Sequence, residues 1–305
     1  MRPGLVIGAV LLLLAACGGK HEERVENLYA VKAAEFNQDG VAAMRIERWA
    51  AAERAFGRSL KAAQLADLSE MVVHAWYNLG AVRAAQSKLS TEAAYQRAVE
   101  LAERYHMPEM RMRARLALAL WRAEHGQAPA AIDLSGGWPA DIQLMGGRLA
   151  QLQHDSEAAR TAYEQAARSA GRDASGLKLK AEAHMGLALL ARDAGDIPGV
   201  RSESDRALDL CRQTGAPRLT AHLLLLRASL HGVTASRTDE AERAYAIYQA
   251  LSDNKGEMQS LQVLKTIALA DGDAGRAAAI QTKIDAMSAS AESDGSKGTM
   301  EEEQQ

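Results

Sequence analysis

One spacing recurs along this 305-residue chain and leaves few folds open to it. A small residue is followed twelve positions later by a second small or β-branched residue, four later by a larger or polar one, and three later by another. Gly40, Ala52, Phe56 and Ser59 show it, as do Gly147, Ala159, Tyr163 and Ala166, then Ala188, Val200, Ser204 and Ala207, then Ser229, Ala241, Tyr245 and Tyr248. Steps of three and four place residues on one face of a helix, and small residues on that face let a second, antiparallel helix approach closely while the larger ones fill the gap. Self-similarity at such a period describes an array of helical hairpins, none of which buries its apolar face alone. Composition agrees, with 48% apolar residues, only 4% aromatic and 6 prolines, and with no run of alternating apolar and polar residues to form a sheet.

The copy at Ala75-Trp76-Tyr77-Asn78-Leu79-Gly80, followed by Ala94, Tyr95 and Ala98, resembles the tetratricopeptide repeat, with W-x2-L-G-x2-Y on its first helix and A-x3-F-x2-A on its second. Arg83 occupies the usual Tyr position, and the turn is one residue short before Tyr95. In this register the first positions fall at Ala33, Val73, Met112, Ala140, Ala181, His222 and Met258, at intervals of 40, 39, 28, 41, 41 and 36. Most exceed the usual 34, so the chain is similar to the extended repeats of kinesin light chains and bacterial regulator solenoids. The resemblance implies an all-α, right-handed solenoid of about six to seven antiparallel helix pairs over residues 28–286. At 126–139, Gly126, Pro129, Gly136, Gly137 and Pro139 cut a second helix short.

The N-terminus carries a short apolar run, Leu5 to Ala16, that is less than the ~20 residues needed to span a bilayer and reads as a secretion leader over residues 1–16. Leu14-Ala15-Ala16-Cys17 resembles the lipobox of bacterial lipoproteins, which implies a mature chain beginning at Cys17 and carrying lipid, palmitate included, on that residue. Gly18 follows in place of the Asp that resembles an inner-membrane retention signal, so the expected address is the periplasmic face of the outer membrane. Residues 17–27 then form a charged tether. Cys211 is left without a disulfide partner and sits in an apolar-periodic segment as a small buried hydrophobe. Residues 287–305, rich in Ser, Gly and Glu, are expected to stay unordered.

Charge argues against nucleic acid: 36 Lys and Arg stand against 39 Asp and Glu, and the excess of acid lies in the tail. The basic cluster Arg104, Arg111, Arg113 and Arg115 spreads over several faces of a helix. Ser175-Gly176-Leu177-Lys178 fits S-x-x-K and Ser252-Asp253-Asn254 fits S-D-N, two signatures of serine β-lactamases and penicillin-binding enzymes, but K-T-G is absent and both matches are expected in loops. The eight histidines show no i, i+4 pair for zinc, and no phosphate-binding glycine loop occurs, so no catalytic residue, metal or cofactor is expected.

What remains is the inner face of the solenoid, lined in this family by positions two, five, nine, twelve and thirteen of the first helix. The candidates for holding a partner are Asn37, His74, Tyr77, Arg113, Leu116, Leu144, Arg148, Met185, Arg192 and Leu226, with Leu189, Gln262 and Thr266 at equivalent places. The Lys and Asn clamp by which relatives grip a C-terminal carboxylate is not reproduced. An apolar groove with occasional Arg suits an extended or helical protein segment, although Leu and Met at this spacing also serve as core. The expectation is a scaffold or adaptor for proteins or peptides of the cell envelope, assisting pilus, secretion or cell-wall complexes. A serine hydrolase using Ser175 and Lys178, or a self-assembling lipoprotein, are the alternatives.

Overall fold

The computed structural model describes residues 27–129, 132–230 and 236–302, with side chains through 289. The leader, Cys17, the tether before Asn27, and His231 lie outside the described residues. Among those described, the chain forms thirteen α-helices and no strand. The helices are α1 (Leu28–Arg45), α2 (Trp49–Leu65), α3 (Ser69–Ala85), α4 (Thr91–Arg104), α5 (Pro108–Glu124), α6 (Ala140–Leu152), α7 (Ser156–Ser169), α8 (Ala174–Asp193), α9 (Ile197–Thr214), α10 (Pro217–Ala228), α11 (Arg237–Ala250), α12 (Asn254–Ala270) and α13 (Ala274–Glu302).

This is a helical solenoid of sequentially packed antiparallel pairs, divided into two compact units, residues 1–91 and 92–305. The seven first positions fall in or at the start of α1, α3, α5, α6, α8, α10 and α12, the A helices, and the others are B helices. Contacts between next-but-one helices run along the A row: α1 to α3 in the first unit, and α6 to α8, α8 to α10 and α10 to α12 in the second. The A side is therefore the inner side within the second unit.

The recurrent small and aromatic positions meet as the spacing requires. A Cβ added to Gly40 would lie 2.5 Å from the Phe56 ring, and one on Gly147 would lie 2.7 Å from the ring of Tyr163. In α9 the equivalent position is Ser204, fully buried, and Ala188 on α8 is fully buried too. Ser59 donates a hydrogen bond of 2.8 Å to the Ala33 carbonyl, tying α2 to α1 where both are small.

Ten of the turns between helices share one design. A single residue adopts a left-handed conformation at 47, 67, 87, 106, 126, 154, 195, 215, 252 or 272. The next residue's N–H then donates to the carbonyl five positions back, as from Arg48 to Ala43, Asp155 to Ala150 and Asp273 to Ala268. This closure satisfies carbonyls that a helix end leaves free, and it favours glycine at the left-handed position. Four of the ten are glycine and the rest carry a Cβ that crowds the following carbonyl. His154→Gly is expected to stabilise the protein by about 0.5–1 kcal/mol and Gly272→Ala to destabilise it by about 1 kcal/mol, read from urea midpoints. A change of the same sign for both would refute that origin.

The stretch after α5 has no B helix. Ile132, Leu134 and Trp138 pack from a non-helical segment onto Met112, Leu116, Ile142 and Leu149, and the Leu134 side chain occupies the space beside Gly146 where a Cβ would fall. One expectation is corrected here. Ser175 and Lys178 lie in the opening turns of α8 rather than in a loop, because Asp173 caps that helix by accepting from the Gly176 N–H at 3.2 Å. α13 is described from Ala274 through Glu302, a stretch without proline.

Neighbouring repeats are clipped together by ion pairs at one repeated place. Glu53 on α2 accepts from Arg83 Nε at 2.9 Å, from Lys88 at 2.7 Å and from Gln86 at 3.2 Å. In the second unit Glu92 on α4 accepts from Arg122 Nε at 3.0 Å. Burial alone would raise the Glu53 carboxyl, but the three donors outweigh it and bring its pKa down to about 2 from 4.5. The folded value lies below the unfolded one, so the pair's contribution is complete above pH 4.5 and is lost as pH falls toward 2. Glu53→Gln is expected to cost about 1–2 kcal/mol at pH 7, discounted for the site's partial exposure, and almost nothing near pH 2. A gap between the two proteins that stays constant across that window would show the clip to be energetically idle.

Candidate functional site

A concavity of about 820 Å³ opens on the A helices α8, α10 and α12. Helical spacing puts its lining on one stripe of each: Met185, Leu189 and Arg192 on α8, His222, Leu225 and Leu226 on α10, and Gln259, Gln262, Val263, Thr266 and Ala270 on α12. The opposite stripes of α8 and α12, which include Ala183, Leu187 and Leu190 and Leu261, Leu264 and Ala268, are buried. Those buried stripes fix the rotation of each helix and so aim the lining residues inward.

Two features hold α12 in place. Asp253 caps it by accepting from the Gly256 N–H at 3.0 Å and also accepts from Arg218 Nε at 3.0 Å, which ties the cap to α10. Gly256 lies so close to Tyr248 that a Cβ would come 2.2 Å from its ring. Burial, helped by the neighbouring Asp253 carboxylate, pushes the Tyr248 phenol up to about 12. The His222 ring lies tilted to that of Tyr248 at 5.7 Å between ring centres, and desolvation by its surroundings lowers its pKa.

Among the described residues no carboxylate lines the concavity, whereas two guanidiniums do. Arg192 donates to Asp193 at 2.8 Å, and Arg237, from the start of α11, donates to Asp271 at 3.4 Å. Its lining is largely apolar, with Leu189, Leu225, Leu226, Val263 and Ile267, and also carries the amides of Gln259 and Gln262 and the hydroxyls of Ser229 and Thr266. Such a surface can hold an apolar or amphipathic segment by side-chain contact and orient its polar edge.

Of the ten candidate groove residues, Met185, Arg192 and Leu226 line this concavity. Arg113 donates to Asp141 at 3.3 Å and Arg148 to Glu182 at 3.1 Å, so both join consecutive A helices. Asn37 accepts from Asn78 at 2.9 Å and plays the same part in the first unit, where His74, 3.7 Å from Glu70, and Tyr77 are half-buried. Leu116 and Leu144 are buried within core clusters. Among the described residues no B helix follows α5, which packs directly on α6 and brings Ile142 and Leu149 onto Leu116, while α6 and α8 approach closely enough to enclose Leu144 with Leu187.

His222, Arg237, Gln259 and Val263 were missed among the candidates. Position two would have signalled Gln259, but Arg237 belongs to a B helix, which the register does not offer as lining. Ser175 and Lys178 are both exposed on α8, while Asp253 serves as cap and ion-pair partner.

No protein-family model matches this chain, and no curated protein matches it. Among solved structures it is similar to the crystal structure of BtubC (BKLC) from P. vanneervenii, at 14% identity over 88% of this chain and 93% of that one, with a TM-score of 0.45.

Proposed function

We propose that the chain is a tetratricopeptide-like adaptor, anchored by lipid on Cys17 at the periplasmic face of the outer membrane, that holds proteins or peptides of the cell envelope without itself catalysing a reaction. The observation that carries the reading is the concavity on α8, α10 and α12, where successive A helices present one apolar stripe each and two arginines join the lining. A rigid stack of helices offers that surface at little conformational cost on binding. The lipid confines encounters to the membrane face and raises the effective concentration of partners there. Pilus, secretin and cell-wall assemblies supply partners of this kind, and the reading takes them as a class.

The test is in-cell crosslinking from a photoreactive residue at Gln262, exposed in the concavity, with Ala246, exposed on the B helix α11, as control. One reproducible envelope protein captured from 262 and not from 246 supports the adaptor. Nothing captured from 262, or the same products from both sites, counts against it. The anchor is tested separately: Cys17→Ser is expected to abolish labelling by a palmitate analogue and to move the protein from the membrane pellet to the soluble fraction.

A further inference from the structure

Three large apolar side chains stand together at one end of the first helix pair. Leu28 and Tyr29 open α1 and are 61% and 46% exposed, and Leu65 closes α2 and is 67% exposed. The two helices run antiparallel, with Ser59 bonded to Ala33 and Arg58 over the Phe36 ring at 5.8 Å, so residues 28 and 65 arrive at the same end. Leu68, Met71 and Val72 pack half-buried behind them against Ala33, Ala62 and Ala63. Single exposed apolar residues are ordinary on a protein surface, but a group at one helix-pair end asks for an occupant.

The chain enters at this same end. Asn27 caps α1 by accepting from the Tyr29 N–H at 3.0 Å, and only the ten residues 18–27 separate that helix from Cys17. Ten residues span at most about 35 Å when extended and about 17 Å as a relaxed chain. The other end of these helices, where Leu89 is 93% exposed, is about 25 Å farther along the helix axes.

We propose that the end of the α1 and α2 pair bearing Leu28, Tyr29 and Leu65 is a membrane-docking edge whose occupant is the bilayer holding the lipid of Cys17; this rests on the anchor proposed above. Three side chains are too few to hold a free protein at a membrane. A short tether makes the contact intramolecular, so a weak patch is enough to orient the body. Tyr29 suits the boundary, with its ring among acyl chains and its hydroxyl among headgroups. Among the described residues near this end, Lys32 and Lys61 balance Asp67 and Glu70, so docking of this patch is expected to depend little on salt.

The test uses the full lipidated chain in vesicles of phosphatidylethanolamine and phosphatidylglycerol at three to one, with an environment-sensitive fluorophore on Leu65→Cys or, as control, on Leu89→Cys. Cys211 is buried and does not compete for label. Nitroxide-bearing lipid is expected to quench the probe at 65 at least twofold more than that at 89. Adding Leu28→Ser and Tyr29→Ser, both at exposed sites, is expected to remove the difference while the protein still floats with the vesicles. Equal quenching at 65 and 89 in vesicle-bound protein overturns the docking edge and leaves the anchor standing. Protein that does not float with vesicles overturns the anchor and the edge with it.

Discussion

Tyr163→Ala is expected to lower stability by about 3–5 kcal/mol, the range for removing a fully buried aromatic side chain. The ring lies between two A helices at once. A Cβ on Gly147 would come within 2.7 Å of it and one on Gly186 within 2.5 Å, so both glycines are there to admit it. Its hydroxyl donates to Gln151 at 2.9 Å. With no side chain on either glycine to move into the space, the cavity left by Ala cannot be refilled from those two sides. Tyr163→Phe, which keeps the ring and loses one hydrogen bond, is expected to cost only about 1 kcal/mol. Urea unfolding followed by circular dichroism separates the two, and a cost below 1 kcal/mol for Ala would mean that the ring does not join the repeats. Burial also pushes the phenol up to about 12, so Tyr163 is protonated near neutral pH.

Gly176→Ala is expected to cost about 2–3 kcal/mol, because the new methyl group would sit 2.5 Å from the carbonyl carbon and oxygen of Gly171. Backbone cannot swing aside as a side chain can, so either the loop before α8 or the helix start must shift. Gly57, inside α2, is the opposite case: nothing lies within 4 Å of an added Cβ. Gly57→Ala is therefore expected to stabilise by about 0.5–1 kcal/mol through helix propensity alone. The same chemical change with opposite signs at two helical glycines is a direct reading of close approach, and equal thermal shifts for the pair would remove that explanation.

Helix pairing was legible in the sequence because small residues and aromatics must alternate for two helices to touch, and that requirement leaves a fixed spacing at Gly40 and Phe56 and again at Gly147 and Tyr163. The break after α5 was legible too, since Pro129 and Pro139 with three glycines leave no room for a helix. Which leucines face a groove was not. Leu116 and Leu226 occupy the same formal position, yet one is enclosed by α6 and the other borders the concavity, and the difference lies in what packs beside each helix rather than in the residue. Arg83 stood out as a departure from the usual Tyr, and its partner Glu53, 30 residues earlier, supplies the reason. The equal separation of Arg122 from Glu92 was a visible sign of the same clip.

The uniform joints between helices have a consequence for how such a chain forms and changes. Since each turn closes on carbonyls of the helix just completed, much of the native hydrogen bonding lies between residues only a few positions apart. Folding of this kind spends little entropy on closing long loops, so it is expected to be rapid and able to begin at any hairpin. A joint that is the same everywhere also accepts a whole hairpin inserted or removed at it, which lets the length of the array drift while each remaining interface keeps its partners.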